Sequence, residues 1–486
     1  MSIFSATPRT STARASLTRV LGRLDAATQP VRPEVAAALQ KRWNELPEAV
    51  RTDAQLVGRR STGCEGTHGV FPQCNLGCRP CYHSTDANQV RIDGPHTLAN
   101  VEAQMAYARE VRGPGQFAQL IGGEVSLLDP DDHAAALAAM HRHDRNPMSF
   151  SHGDFDYEYL EQLALGPDGK PRFAHLSFAI HIDTTMVGRR AVRHPKTEAD
   201  LNPERARVAA MFDRLRSEHG VTSYVAHNMT VTPDNLDEVP DVIAMNRHLS
   251  YRMFSFQPAA YIGHERRWEP GYRGFGDDDV WARVEAGAGT RLPFRGLQFG
   301  DVRCNRSTWG AFVGDRYVPV LDDQDPRDEH VRDEFFAAFP GALGYGPLPQ
   351  RAARIARSVF RQPTVVPAIA GWARRFVARS GGLGPAWRNV HPTTFVMHRF
   401  MDAADVSAAW QHMDAGTTPT EQRLVDTTER LQACVYSMPH PETGQMVPAC
   451  VQHSVLDPGE NTALVKLLPR RRSARERIKV GASAEG

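Results

Sequence analysis

The chain has 486 residues, of which 41% are hydrophobic, and its formal net charge is +1. This length and composition predict two or three domains with a substantial core, and the near-zero charge argues against a nucleic-acid partner. No run of about 18 uninterrupted apolar residues occurs, which excludes an ordinary membrane-spanning helix. With seven cysteines and no hydrophobic signal region, a disulfide framework fits poorly, and we expect reduced thiols and a cytoplasmic location.

Residues 1–60 predict a flexible tail followed by a leading helix. The first 30 residues are rich in Ser, Thr, Arg and Ala and hold no acidic residue before Asp25. Helical spacing then follows as far as an interruption near Pro47. The apolar residues with this spacing are Val35, Leu39, Trp43 and Leu46.

Residues 61–300 alternate between short β-rich runs and helical patterns, which predicts βαβ units and a parallel sheet in an α/β fold. A helical stretch is expected at 97–112. The six predicted strands lie near residue 70 and at 117–121, 146–151, 174–180, 223–231 and 251–256.

One short loop holds three of the seven cysteines, Cys74, Cys78 and Cys81, with the spacing C-x3-C-x2-C. Iron–sulfur clusters are usually held by four thiolates, so three on one loop describe a [4Fe-4S] cluster with one iron open to another ligand. Gly77 permits a sharp turn, and Pro80 fixes φ before the last cysteine. The alternative is a tetrahedral zinc site with His83 or Cys64 as fourth ligand, in a binding protein without catalysis.

This spacing resembles that of the radical S-adenosylmethionine (SAM) superfamily. The second predicted strand ends in Gly122-Gly123-Glu124, which looks like the superfamily's GGE motif. The resemblance covers about residues 64–263 and implies a partial (β/α)6 barrel. It also implies an N-terminal helical lead-in and a mixed C-terminal extension at residues 301–486.

The resemblance implies an enzyme that cleaves SAM reductively and abstracts hydrogen from a substrate. The three cysteines would hold the cluster, its open iron would chelate SAM, and Glu124 would help to hold the methionine ammonium. A low-potential donor such as flavodoxin or ferredoxin would supply electrons. The superfamily usually has an aromatic residue directly before the third cysteine, near the adenine; Pro80 stands there, and Tyr82 is the expected substitute.

Polar residues at the ends of the third, fourth and fifth strands are further candidates, because chemistry in α/β barrels lies at the carboxyl ends of the strands. Arg189, Arg190 and Arg193 follow the fourth strand and either meet an anionic group or form a solvated basic face. For the strand-end residues, the alternative is helix capping or hydrogen bonding within loops. The candidates that the resemblance implies for the ribose and carboxylate of SAM are His181, Asp183 and Asn228, and Ser151, at the end of the third strand, is a further cofactor-binding candidate.

The four remaining cysteines would suffice for a second cluster. Cys434 and Cys450 flank a predicted hairpin that turns at residues 442–444. Many superfamily members carry auxiliary clusters in a C-terminal extension, although the spacing here differs from the usual seven-cysteine extension, and isolated cysteines are often buried and inert. The candidate auxiliary ligands are Cys64, Cys304, Cys434 and Cys450.

Residues 341–400 contain nine arginines and no Asp or Glu. Apolar residues between them predict amphipathic helices interrupted at Pro363 and Pro367, and more basic residues lie between 470 and 479. Such a helix can lie on an anionic membrane surface or bind an acidic partner, and the alternative is a solvated helical face.

Short stretches at 254–258, 400–403 and 434–450 resemble archaeal tetraether-lipid synthases and their bacterial relatives, which join lipid chains through unactivated carbons. This second resemblance implies a lipid or other apolar substrate and contact with a membrane surface. A radical SAM enzyme that modifies a peptide or a small polar metabolite is the alternative.

Overall fold

The computed structural model describes residues 22, 32–52, 55–61, 63–83, 88–340, 348–382, 384 and 390–470. Apart from residue 22, the predicted flexible tail lies outside the described residues. So do Arg388 and the basic residues predicted after Arg470.

Eleven strands of the described part form one large sheet, and two further strands of two residues each pair separately. In chain order they are β1 (Cys64–Gly66), β2 (Gln116–Leu120), β3 (Arg145–Ser151), β4 (His175–His181), β5 (Thr222–Val231), β6 (Met253–Pro258), β7 (Asn305–Val313), β8 (Arg316–Pro319), β9 (Val390–His398), β10 (Tyr436–His440) and β11 (Gln445–Pro448). Across the sheet the order is β8-β7-β9-β6-β5-β4-β3-β2-β1-β10-β11. The run from β9 through β6–β1 to β10 is parallel, whereas β7–β9, β7–β8 and β10–β11 pair in antiparallel fashion.

Helices connect the strands and flank the sheet. They are α1 (Pro33–Glu45), α2 (Gly94–Arg112), α3 (Pro130–Arg142), α4 (Tyr157–Ala164), α5 (Asn202–His219), α6 (Val239–Asn246), α7 (Asp277–Ala288), α8 (Pro326–Ala338), α9 (Leu348–Arg361), α10 (Val365–Arg379), α11 (Ala403–Asp414), α12 (Gln422–Gln432) and α13 (Asp457–Leu467). Helices α2–α6 each link two consecutive strands from β1 to β6. The sheet is curved and open, which confirms the predicted α/β class and partial (β/α)6 barrel.

Aspartate caps begin the first three of these connecting helices. Asp93 accepts a hydrogen bond from His96 N, and Asp129 and Asp156 cap α3 and α4 in the same way. A side-chain acceptor at this position satisfies an amide that has no partner within the helix. Each loop from the carboxyl end of a strand therefore passes directly into a well-defined helix.

Alternate residues of the central strands pack against the helices. Phe178 and Ile180 of β4 and Phe254 and Phe256 of β6 are fully buried in the main core. Successive strand residues point to opposite faces. His181, the next residue on β4, therefore faces the concave side of the curved sheet.

The predicted strand positions are confirmed for β2–β6 and wrong for the first strand. Strand β1 is Cys64–Gly66, not the region of Val70. Val70 and Phe71 are buried in the loop that follows β1. The apolar pattern there therefore reflects burial of the loop rather than a strand.

The segment after residue 301 extends the sheet at both sides. Phe395 of β9 lies opposite Phe254 of β6, and Tyr436 of β10 lies opposite Cys64 of β1. Strands β10 and β11 confirm the predicted hairpin. The division of the chain at residues 60 and 300 stays a prediction.

Helices α9 and α10 occupy the predicted amphipathic segment. Pro363 lies between them, as expected. Pro367 does not interrupt α10, because it lies in the first turn, where a helix tolerates proline. Within the described residues, we find no helix with the length and apolar character required to cross a membrane.

Candidate functional site

The cysteine loop lies beyond the carboxyl end of β1 and is held by the loops that follow β4 and β6. The two-residue strand Gly77–Cys78 pairs with Met186–Val187, and Arg79 N donates to Thr185 O at 3.2 Å. Cys81 forms a backbone bridge with Gly263. A Cβ atom on that glycine would lie 2.0 Å from Cys81 O, so only glycine permits this contact.

The three thiols of this loop are half-buried and form no disulfide. Burial, and then the nearby Glu124 carboxylate, raise the pKa of Cys74 to about 12. A hydrogen bond from Cys78 lowers the pKa of Cys81, and the same bond raises the pKa of Cys78.

The Gly-Gly-Glu turn after β2 packs directly on the segment that leads into Cys74. Gly123 N donates to Phe71 O at 2.7 Å, and Glu124 N donates to Gln73 O at 2.9 Å. A Cβ atom on Gly123 would lie 2.1 Å from Gln73 O, and one on Gly122 would lie 2.7 Å from the Phe71 ring. The two glycines are thus required for the contact between the two predicted motifs.

The Glu124 carboxylate links the ends of β2 and β3. It is 1% exposed and accepts hydrogen bonds from Ser126 N at 2.9 Å, Ser126 Oγ at 2.6 Å, Ser151 Oγ at 2.7 Å and His152 N at 2.8 Å. Three of these bonds are accepted by Oε1 and one by Oε2, so Oε2 keeps an acceptor position. Binding of an ammonium group by Glu124 stays a prediction, whereas its contact with Ser151 is direct.

His152 connects the end of β3 to the cysteine loop. Its Nδ1 accepts from Asp154 N at 2.9 Å, which leaves the proton on Nε2 for donation to Asn75 Oδ1 at 2.8 Å. Sequence reasoning did not select Asn75. The signal in the sequence that could have selected it is its position directly after Cys74, inside the C-x3-C-x2-C motif.

His181, Asp183 and Asn228 meet at the ends of β4 and β5. His181 lies opposite Asn228 in the strand register, and its Nε2 is 2.6 Å from Asp183 Oδ2. Asp183 also accepts from Thr185 N at 2.8 Å and Thr230 N at 2.7 Å. Burial alone would raise the pKa of Asp183, but His181 and these hydrogen bonds lower it overall. Thr230 was missed because it reads as an ordinary strand residue.

Arg189 is completely buried beside the cysteine loop. One terminal nitrogen donates to His181 O, while Nε and Nη1 have no hydrogen-bond partner among the described residues. Burial lowers the pKa of Arg189, and Asp183, Asp154 and Cys78 act in the opposite direction through their charge. Arg190 and Arg193 are exposed, so the solvated basic face accounts for them but not for Arg189.

Tyr82 and His83 lie beside the helical segment at residues 449–456, which precedes α13. The Tyr82 ring is 4.3 Å from that of His453, and its hydroxyl donates to Gly122 O at 3.4 Å. Both ring nitrogens of His83 are buried and have no partner among the described residues. A contact between Tyr82 and an adenine ring stays a prediction.

The four remaining cysteines are half-buried and form no disulfide. Cys304 and Cys434 each raise the pKa of Cys450, although burial has the larger effect, and together they bring it to about 12. Arg430 donates to Cys304 Sγ at 3.2 Å. Cys64 lies opposite Tyr436, whose own pKa is affected by both Cys64 and Cys434. The auxiliary cluster stays a prediction.

The cysteines do not form the compact ligand set of a single metal ion. Ligands at about 2.3 Å from one zinc ion lie within about 4 Å of one another. Among the described residues, the sets of three or more ligand atoms within 4.8 Å of one another are His68–His440–Glu460 and Glu161–Glu218–His219, and neither contains a cysteine. The choice between an iron–sulfur cluster and zinc at the cysteine loop stays a prediction.

A scan of protein-family models and a search of curated proteins each give no match. Solved structures do match, among them Streptococcus suis SuiB bound to precursor peptide SuiA, with 12% identity and a TM-score of 0.30 over 53% of this chain and 48% of that chain. Native anSMEcpe with bound AdoMet matches with 12% identity and a TM-score of 0.26 over 40% of this chain and 50% of that chain. The chain spans about half the length of these proteins. At these values neither match identifies a family or a function.

Proposed function

We propose that this chain is a radical SAM enzyme whose [4Fe-4S] cluster is held by Cys74, Cys78 and Cys81. The observation that carries the proposal is the direct contact between the Gly-Gly-Glu turn after β2 and residues 71–73, which lead into the C-x3-C-x2-C motif. When bound, the cluster and SAM would supply reductive cleavage of SAM and abstraction of hydrogen from a substrate.

The protein's own contribution is placement of the ligand and exclusion of water. Arg189 supports this role because two of its guanidinium nitrogens are buried without a partner among the described residues. A buried donor without a partner is costly, and the carboxylate of a bound ligand would give such a donor a charge-assisted hydrogen bond. We infer that Arg189 binds the carboxylate of SAM, with His181 and Asn228 on the neighbouring concave face.

The first test is anaerobic iron and sulfide analysis with low-temperature EPR of the reduced protein, with and without SAM. Wild type is compared with Cys74→Ala/Cys78→Ala/Cys81→Ala. We expect about four irons per chain, lost in the variant, and an EPR signal that SAM shifts. Zinc in place of iron and sulfide contradicts the proposal.

Arg189→Gln tests the SAM site separately from the cluster. We expect the variant to keep its iron and to bind SAM at least about tenfold more weakly, because a charge-assisted hydrogen bond is lost. Arg190→Gln, at the exposed neighbouring position, is the matched control and should bind SAM like wild type. Equal SAM affinity in both variants excludes the role of Arg189.

We further propose an apolar substrate, reached from a membrane surface. Helix α9 supports this, because Phe360 and Leu348 are 88% and 72% exposed among its arginines. A basic helix with exposed apolar side chains suits an anionic lipid surface. A peptide or polar substrate would not require such a surface.

The four remaining cysteines are proposed as ligands of an auxiliary cluster. In the iron analysis, about eight irons per chain with half retained in the triple cysteine variant would support this. About four irons in wild type, all lost in that variant, would restrict the chain to one cluster.

A further inference from the structure

Three residues that the proposed reaction does not use converge at the edge of the sheet. His68 follows β1, His440 ends β10, and Glu460 lies on α13. Because β1 and β10 are parallel neighbours, the chain segments at their carboxyl ends are adjacent. One ligand atom of each residue lies within 4.8 Å of the other two, and the histidine side chains are only 9% and 3% exposed.

Each histidine directs its Nε2 to an oxygen that can only accept a hydrogen bond. His68 Nε2 is 3.0 Å from Pro439 O, and His440 Nε2 is 2.5 Å from Gln452 Oε1. The amide orientation of Gln452 is fixed independently, since its Nε2 donates to Asp457 at 2.9 Å and Glu460 at 3.0 Å. Both histidines therefore carry a proton on Nε2.

The two Nδ1 atoms face carboxylates instead. His68 Nδ1 is 2.9 Å from Glu460 Oε2, and His440 Nδ1 is 2.9 Å from Glu442 Oε1 and 3.8 Å from Glu460 Oε1. The two imidazole rings are stacked, with centroids 3.9 Å apart. Both Nδ1 atoms thus lie on the side of the rings that faces carboxylate oxygens, as ligand atoms around one cation would.

With the proton on Nε2, each Nδ1 has a lone pair available for a metal ion. Metal-binding histidines typically donate their other ring N–H to a backbone carbonyl or a similar acceptor, as both Nε2 atoms do here. Two histidines and a glutamate form a known zinc ligand set. Imidazole and carboxylate ligands together suit zinc better than magnesium or calcium.

We propose that His68, His440 and Glu460 form a second metal site, separate from the cysteine loop, for a divalent cation of the zinc type. Glu442, on the β10–β11 turn, has Oε1 2.9 Å from His440 Nδ1 and would be the fourth ligand. The ion would link the loop after β1, the end of β10 and helix α13. The proposal does not depend on the SAM reaction.

The test is a Zn2+ titration of the full-length chain after removal of loosely bound metal by a chelator, with bound zinc measured by mass spectrometry. Wild type with its iron cluster intact is compared with His440→Gln and Glu460→Gln. His219→Gln is the matched control, because it alters the exposed Glu161–Glu218–His219 group. Circular dichroism verifies folding, and the near-isosteric Glu460→Gln provides the test if His440→Gln fails to fold.

We expect wild type to bind about one Zn2+ per chain, and His440→Gln and Glu460→Gln to weaken binding at least about tenfold. His219→Gln should bind like wild type. The Cys74→Ala/Cys78→Ala/Cys81→Ala variant should retain the site, and Co2+ added to it should give the visible absorption of a low-symmetry site. Absence of Zn2+ binding in wild type overturns the proposal, as does binding that His440→Gln and Glu460→Gln leave unchanged or that the cysteine variant abolishes.

Discussion

At the residue scale, the site depends on close backbone contacts as much as on ligands. Gly123 is the clearest example, because its backbone touches Gln73 O in the segment that ends at Cys74. Glu124 adds hydrogen bonds from Ser151 and His152 on the neighbouring strand. The geometry of the cysteine loop is thus set by residues that need not contact the cluster.

Gly123→Ala should displace the cysteine loop. Its Cβ would lie 2.1 Å from Gln73 O, a backbone atom that cannot rotate away. We expect a loss of about 1–3 kcal/mol in the free energy of unfolding and a lower iron content per chain.

Gly459→Ala is the control for this substitution. No heavy atom lies within 4 Å of its added Cβ, and the position is in α13, where alanine should stabilise by about 0.5–1 kcal/mol. Urea unfolding and iron analysis measure both effects. Equal stability and equal iron content in the two variants would contradict the role assigned to Gly123.

At the element scale, buried polar pairs hold the helices and strands of the barrel together. Arg145 of β3 forms a two-point ion pair with Glu65 of β1, at 2.8 and 3.1 Å, and neither side chain is exposed. His133 of α3 contacts Ser149 Oγ of β3 at 2.8 Å and Tyr159 of α4 at 3.0 Å. The ion pair and the hydrogen bonds of His133 each form in only one protonation state of the side chains involved.

His133 makes the stability of the barrel depend on pH. Burial lowers the pKa of His133 to about 3, whereas the unfolded chain has the ordinary value near 6.5. Between these values the unfolded state binds more protons, so stability falls as the pH is lowered below about 6.5. The contribution of the neutral His133 ring to the free energy of unfolding is complete only above about pH 6.5.

His133→Gln should flatten this dependence. We expect the change in the free energy of unfolding between pH 6.5 and 5 to be smaller than in wild type by about 2 kcal/mol. Urea unfolding of both proteins, prepared without iron, measures the difference. A pH dependence as steep as that of wild type would show that another buried group causes it.

At the scale of the whole molecule, the C-terminal segment is part of the barrel rather than an appendage. Strand β9 lies between β6 and β7, so deletion of residues 341–400 would remove a central strand and could not test membrane binding. Arg375 and Arg379 of α10 also pair with the buried Asp328 at 2.6 and 2.7 Å. Helix α9 is therefore the surface on which membrane contact must be tested.

Phe360→Glu should weaken binding to vesicles that contain phosphatidylglycerol. The substitution removes the most exposed large apolar side chain of α9 and adds a negative charge. Loss of one phenyl group that is buried in the membrane costs about 1.5–3 kcal/mol of the free energy of vesicle binding. This lowers the affinity at least about tenfold.

Met245→Glu is the matched control, because Met245 is 58% exposed on α6 and the charge change is the same. Vesicle sedimentation measures both variants. Equal binding by Phe360→Glu, Met245→Glu and wild type, or no binding by any of them, would exclude α9 as a membrane contact.

The sequence by itself determined what local patterns control: the α/β class, the order of strands β2–β6, the hairpin at the C-terminus and the two motifs around Cys74 and Gly123. Motif spacing and apolar periodicity are short-range properties, so they can be read along the chain. The same reasoning placed the first strand near Val70, because periodicity reports burial and does not distinguish a strand from a buried loop.

Only the tertiary structure decided which distant residues meet. The burial of Arg189, the contact of Asn75 with His152 and the approach of His68 to His440 depend on pairings between segments far apart in the chain. The position of β10 beside β1 is such a pairing, and nothing in either strand specifies its partner locally. Long-range strand register and side-chain burial are set by the packing of the whole sheet, which is why the sequence alone could not supply them.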